Sequence, residues 1–279
     1  MDRENLIEEL IDLAIEEDVY TGDISTDAII PVNSRATALM TAKAEGVISG
    51  LEVIRKVYER FEDDFGWKPY VRDGQKVRKG DKILEITAQY RTLLYGERLS
   101  LNILQRMSGI ATATARFVAE LEGTGTVILD TRKTAPGMRV LDKMAVRDGG
   151  GHNHRMGLYD MVMLKDNHIK IAGGIPQAVA AVKGNLPLSV KLEVETTSLE
   201  EVRQAVEAGA DIIMFDNMDN ATMAEAVRIV GGRAKTEASG NMSIPRLKEV
   251  AATGVDYISV GALTHSVTAL DISMNIIQE

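Results

Sequence analysis

The chain has 279 residues, 45% of them hydrophobic and 26% charged, and carries a formal net charge of −9. That is long enough for one large α/β domain or two ordinary ones and typical of a globular protein. It has no cysteine, which excludes disulfides, thiol nucleophiles and thiolate-ligated zinc.

From the start, Leu6, Leu10, Leu13 and Ala14 recur at helical spacing among acidic residues, so residues 5–18 are expected to form a helix. MDRENLIEEL is acidic and lacks an apolar core, so no secretory signal is expected, and a cytoplasmic location follows as the expectation. TGDIST (21–26) interrupts the pattern. Residues 36–49 read as a strand and turn, and 50–61 as a helix. VRDGQKVRKGDKILEITA (71–88) alternates and turns at Gly74 and Gly80, suggesting a small antiparallel unit. A long helical pattern runs from Tyr90 to Glu122. Arg98, Asn102 and Gln105 form a polar ridge on it, ending at Gly109; such a ridge faces water, a partner or a cleft.

The rest alternates strand and helix. TVILDTRK, YDMVMLKD, SVKLEVE, ADIIMFD, RAKTEAS and VDYISVG read as strands. SLEEVRQAVEAG, ATMAEAVRIVG and SIPRLKEVAATG read as helices. This rhythm indicates parallel βαβ units, with strand ends expected at Glu195, Asp216, Glu237 and Gly261. Active sites of parallel α/β folds sit at the carboxyl ends of the strands. Those ends supply Arg132 and Lys133, then Lys165, Glu195 and Asp216, then Ser239 with Gly240, and Gly261 with His265 beyond it. Gly149–Gly151 precede His154 and Arg155.

From Asp130 to Lys170 there are eight Lys and Arg against five Asp, a local net of +3 in an acidic chain. Arginine forks grip carboxylates and phosphates bidentately, and lysine adds a point charge. Only 4% of residues are aromatic, so a small anionic ligand fits better than nucleic acid. No apolar run reaches the roughly 20 residues of a membrane span. Glu195 and Asp216 suit Mg²⁺ held largely through phosphate oxygens and water, or else salt-bridge neighbouring cations. Late loops feeding helix N-termini, at Ser239-Gly240 and at Gly261, suit phosphate.

DTRKTAPGMRVLDKMAVRDGGGHNHRMGLYDMVMLKDNHI, LEVET, FDN, EASGN and GALTHS stand in order, preceded by EDVYTGDIST and ERLSLNILQRMSGIAT. Together they resemble the quinolinate phosphoribosyltransferase (carboxylating nicotinate-nucleotide pyrophosphorylase) family, over almost the whole chain. Ala135, Met144 and Asn241 depart from its pattern without removing a charge. The resemblance implies an N-terminal α/β sandwich over 1–110 and an open seven-stranded α/β barrel over 111–279, whose last helix can return to the N-terminal domain. It implies a pentosyltransferase (EC 2.4.2.19) that joins quinolinate to phosphoribosyl pyrophosphate with Mg²⁺, giving nicotinate mononucleotide, pyrophosphate and carbon dioxide in NAD biosynthesis. It also implies a homodimer, open to higher assembly, whose active sites lie between subunits.

The same resemblance distributes the roles. Arg98 of the neighbouring copy, Arg132, His154, Arg155 and Lys165 would clamp the two carboxylates of quinolinate. Lys133 would steady the pyrophosphate. Glu195 and Asp216 would hold Mg²⁺ or the ribose hydroxyls, and with Lys133 they form the expected catalytic set. Ser239, Gly240, Gly261 and His265 would cradle phosphate. Three rivals remain: a paralogue of the same fold with another substrate, a Schiff-base aldolase using Lys133 or Lys165, and a catalytically dead binding protein.

Overall fold

The structure, a computed structural model, describes residues 3–277. Met1, Asp2, Gln278 and Glu279, at the outer edges of the two expected domains, lie outside the described residues. The chain forms two compact units, one comprising residues 1–115, 134–150 and 266–279, the other 116–133 and 151–265.

In the first unit α1 (Arg3–Asp18) and α2 (Ile24–Ile29) come first. The start of α2 is fixed by Asp23, which accepts the Ser25 N–H at 3.0 Å. Strands β1 (Arg35–Ala42) and β2 (Gly46–Val47), helix α3 (Leu51–Glu59), strands β3 (Gly66–Pro69), β4 (Lys76–Val77) and β5 (Lys82–Gln89), and helix α4 (Tyr90–Glu120) follow. β5 pairs antiparallel with β1 and β3, and β4 pairs instead with β2. The expected unit over 71–88 is therefore split between two sheets, because Gly80 turns β5 away to a different edge. Alternation along β5 buries Leu84, Ile86 and Ala88, and Ile83 is buried on the opposite face. Tyr58 of α3 is fully buried and lies near Met274.

Beyond β6 (Val127–Leu129), helix α5 (Arg139–Asp148) belongs to this first unit. Arg106 of α4 forks onto the wholly buried Asp142 of α5 with two bonds of 2.9 Å. Gly109 has a packing reason: a Cβ there would lie 2.2 Å from the Thr268 carbonyl oxygen. The ridge thus ends where backbone crosses the helix. Gln105 donates to the Ile272 carbonyl at 2.7 Å, whereas Arg98 and Asn102 are exposed.

The second unit continues with β7 (Val162–Leu164), α6 (Asp166–Ala172), α7 (Ile175–Lys183), β8 (Leu192–Thr196), α8 (Leu199–Ala208), β9 (Ile212–Asp216) and α9 (Asn220–Val230). β10 (Lys235–Ser239), a 3₁₀ turn with α10 (Leu247–Ala251), β11 (Tyr257–Ser259) and α11 (Ala262–His265) complete it. Its sheet is parallel, in the order β6-β11-β10-β9-β8-β7. Six strands ladder continuously. The seventh place is filled by a single parallel bridge between Leu129 and His152, on the far side of β6. The open α/β barrel is present, closed at neither β7 nor His152 by a described ladder. Strand β10 runs to Ser239, so Glu237 sits mid-strand and fully buried, not at the strand end expected for it.

The last element is also corrected. Where a helix was expected, Ile272–Ile277 forms β12, which pairs antiparallel with β1 in the first unit. Ile272 and Met274 are buried on alternating positions, a two-residue period that suits a strand.

Candidate functional site at the carboxyl ends of the parallel strands

Within the second unit, the βα loops gather most of the residues expected to act on ligand. Lys165 follows β7; its amide N–H donates to His168 Nδ1 at 3.1 Å, so the LKDNH motif closes the first turn of α6 on itself. The Lys165 ammonium lies 2.5 Å from Glu195 Oε2, with side-chain exposures of 45% and 14%. Glu195 and Asp216 occupy neighbouring strands near their carboxyl ends, and the register sets Asp216 beside Ser239. Asn217 Nδ2 donates to Asp216 Oδ2 at 2.9 Å.

Lys133 and His265 flank Gly261. A Cβ on Gly261 would lie 3.0 Å from Lys133 Cδ and 3.1 Å from His265 Cδ2, so crowding explains the missing side chain. Thr264 Oγ1 donates to the Lys133 carbonyl at 2.9 Å, tying α11 to the loop after β6. Arg155 donates to the Met161 carbonyl at 3.2 Å. Burial first, and then the nearby positive charge of Arg132, hold the Arg155 guanidinium below its usual pKa, opposed by Glu193. Two confined like charges of this kind gain when an anion arrives between them.

A layer deeper lie residues that the motif reading passed over. Asp130, fully buried, accepts the His154 amide N–H at 2.9 Å and Asn153 Nδ2 at 2.6 Å. The His154 side chain is 7% exposed, and its Nε2 is 3.0 Å from Glu193 and 3.4 Å from Glu237, both carboxylates wholly buried. Burial disfavours the imidazolium, but the two glutamates outweigh that and draw its pKa up to about 10. The Arg155 amide nitrogen lies 2.7 Å from the ring's Nδ1. Glu193 is raised in turn, by burial first and then by Glu237.

His154, Glu193 and Glu237 have the residue types of a cation site. The signal for this layer was present in the sequence: Glu193 and Glu195 are two residues apart, as are Glu237 and Ser239, hence on common faces. Arg98 belongs to the first unit and is exposed on α4.

An open parallel α/β barrel carrying cations, carboxylates and glycine-lined loops at its strand ends defines an enzyme of the barrel class that handles anionic substrates. Residues 23–108 match the quinolinate phosphoribosyl transferase N-terminal domain family and residues 110–275 its C-terminal domain family. The chain belongs to the quinolinate phosphoribosyltransferase family.

Relatives agree along nearly the full length. A probable carboxylating nicotinate-nucleotide pyrophosphorylase of Bacillus subtilis is 43% identical over 260 residues, 93% of this chain and 90% of its own. A chloroplastic carboxylating nicotinate-nucleotide pyrophosphorylase of Arabidopsis thaliana is 42% identical over 286 residues, covering 96% and 82%. Among solved structures, the nicotinate-nucleotide pyrophosphorylase from Francisella tularensis superposes with a TM-score of 0.94 at 37% identity, covering 99% of this chain and 98% of that one. NadC from Streptococcus pyogenes superposes with 0.93 at 39%, covering 98% and 97%.

Proposed function

We infer that the chain is a decarboxylating phosphoribosyltransferase: it joins quinolinate to phosphoribosyl pyrophosphate and forms nicotinate mononucleotide, pyrophosphate and carbon dioxide in NAD biosynthesis. The observation that carries this reading is the set Arg132, Lys133, Arg155, Lys165, Glu195 and Asp216, gathered by the strand ends of one parallel sheet in a chain of this family.

Both substrates are multiply anionic. Bringing them together out of water is costly unless cations are already in place. Arg132, Arg155 and Lys165 grip the two ring carboxylates, with His154 at the base of the same group. They aim the pyridine nitrogen at the anomeric carbon, and such positioning contributes several kcal/mol. Arg98, exposed on α4, serves the site of a second copy, which makes the working species a homodimer. Lys133 steadies the pyrophosphate. Ser239, Gly240, Gly261 and His265 hold the 5-phosphate through backbone N–H groups and the ring. Once the ring nitrogen is joined to ribose it carries positive charge, which stabilises the electron pair left on the adjacent ring carbon when its carboxylate departs as carbon dioxide; a proton from water then completes the new C–H bond. That step needs no nucleophile–base pair, and none was evident in the sequence.

Glu195 and Asp216 are hard oxygen donors on adjacent strands, too few for a cage and suited to Mg²⁺ that keeps phosphate oxygens and waters. When bound there, Mg²⁺ supplies charge neutralisation on the pyrophosphate. Lys165, 2.5 Å from Glu195 Oε2, keeps that carboxylate aimed, and the two carboxylates also face the developing positive charge of the ribose ring. No helix among the described residues is long and apolar enough to cross a membrane, and a cytoplasmic enzyme is our reading.

The test is product formation from quinolinate with and without phosphoribosyl pyrophosphate and Mg²⁺, beside the same assay with nicotinate. Quinolinate turnover that requires all three components is expected. Faster turnover of nicotinate would overturn the assignment.

A further inference from the structure

Two loops of the barrel carry different ends of the sugar substrate in this reading: the β9 loop holds Asp216, and the β10 loop holds Ser239 and Gly240. The structure joins them through residues that the motif reading did not single out. Asn217, directly after Asp216, is one of three non-glycine residues with positive φ among the described residues, at +53°. Asparagine tolerates this left-handed conformation better than most side chains, at a cost that only a specific need offsets.

The need is visible in what the side chain meets. Its Nδ2 donates to Asp216 Oδ2 at 2.9 Å. Its Oδ1 accepts from Asn241 Nδ2 at 3.4 Å, across in the other loop. Its backbone N–H donates to the Ser239 carbonyl at 3.0 Å. Gly240 has φ +99°, and a Cβ on it would fall 2.2 Å from Asn217 Oδ1. The glycine and the asparagine therefore fit only as a pair. Below them, Arg246 spans the same two loops: one guanidinium nitrogen donates to the Gly240 carbonyl and the other to the Met218 carbonyl, each at 3.1 Å. A planar fork is suited to bridging two fixed acceptors, and a lysine ammonium is not.

We propose that Asn217 and Arg246 are positioning residues that lock the β9 and β10 loops in register, setting the distance between Asp216 and the Ser239–Gly240 cradle for phosphoribosyl pyrophosphate. The proposal rests on the activity assigned above. A ligand gripped at both ends tolerates little error in the spacing of its grips. Quinolinate is held by cations from β6, the His152 segment and β7, none of which this clamp touches.

Asn217→Gly is the decisive variant, since glycine accepts the φ of +53° without strain and removes only the side chain. Arg246→Met removes the bridging fork, and Arg246→Lys keeps the charge without the fork. In steady-state kinetics, Asn217→Gly and Arg246→Met are expected to raise the KM for phosphoribosyl pyrophosphate about tenfold, the scale of one lost hydrogen bond to a charged group. Arg246→Lys should not rescue it, and the KM for quinolinate should stay within about twofold of wild type. Parallel rises in both KM values would mark a general structural role and overturn the proposal, as would no rise in either. Calorimetric titration of phosphoribosyl pyrophosphate alone into wild type and Asn217→Gly separates the two levels. Equal affinities overturn the clamp, whereas a wild type that binds this ligand without turning over quinolinate overturns the assigned activity.

Discussion

His154→Ala tests the charged layer beneath the site. In the native chain, one imidazole lies 3.0 Å from Glu193 and 3.4 Å from Glu237, and neither carboxylate touches solvent. Truncation leaves two buried carboxylates facing a void without their nearest donor. Removing one partner of a buried ionic cluster typically costs about 3–5 kcal/mol. With a urea dependence of roughly 2 kcal/mol per molar, that lowers the unfolding midpoint by about 2 M.

Trp67, the single tryptophan, lies on β3 in the antiparallel sheet of the first unit and reports on that unit. The barrel is therefore followed by hydrogen exchange of peptides covering β8 and β10, which separates it from the helices of the first unit. A second substitution, Glu237→Gln, removes one of the opposed charges. In the His154→Ala background it is expected to recover roughly half of the loss, a coupling that a double-mutant cycle reads directly. A loss below about 1 kcal/mol in His154→Ala, or no recovery in the double variant, would refute the reasoning that this imidazole holds the carboxylate pair together.

Lys165→Met is expected to keep the fold, because the ammonium is nearly half exposed, while raising the quinolinate KM by roughly 10- to 100-fold; kinetics beside circular dichroism decide it. Asp73 is raised to about 6 by burial first and by nearby Asp148, against the N–H groups of Leu51 and Gly50 that donate to it. Its folded pKa exceeds its unfolded one, so the associated stability is full below about pH 4 and lost as pH rises through about 6. Asp73→Asn keeps an acceptor for both N–H groups; it should gain roughly 2 kcal/mol at pH 7.5 and flatten the melting profile between pH 4 and 7, and parallel profiles would disprove the linkage. Gly109→Ala drives a methyl against the Thr268 carbonyl and should destabilise the first unit by about 2 kcal/mol, read by Trp67 fluorescence during unfolding.

The sheet of the barrel was legible because parallel strands covered on both faces read as apolar runs such as ADIIMFD, separated by amphipathic helices. The mouth residues were legible for the same reason: once a strand is placed, its carboxyl end is known. β8 ends at Thr196 and β9 at Asp216, within a residue of expectation. The layer of Asp130, Glu193 and Glu237 was less visible. Acids inside a strand usually mark a solvent face, yet Glu193 and Glu237 are wholly buried beside His154, and Asp130, directly after β6, is buried as well. The Asn217–Arg246 clamp was not legible at all, since its members are 29 positions apart and meet only through loop conformations.

Taken alone, the amino-acid order determined the βα rhythm, the strand ends and the concentration of cations between Asp130 and Lys170, because hydrophobic periodicity and local charge are properties of neighbouring residues. It also carried the family resemblance. The tertiary structure decided that α5 leaves the parallel sheet to join the first unit, that the chain ends as β12 beside β1, and that β4 and β5 enter different sheets. Each of these depends on which distant edge or face is available to accept hydrogen bonds and apolar area, and a local pattern does not specify that choice.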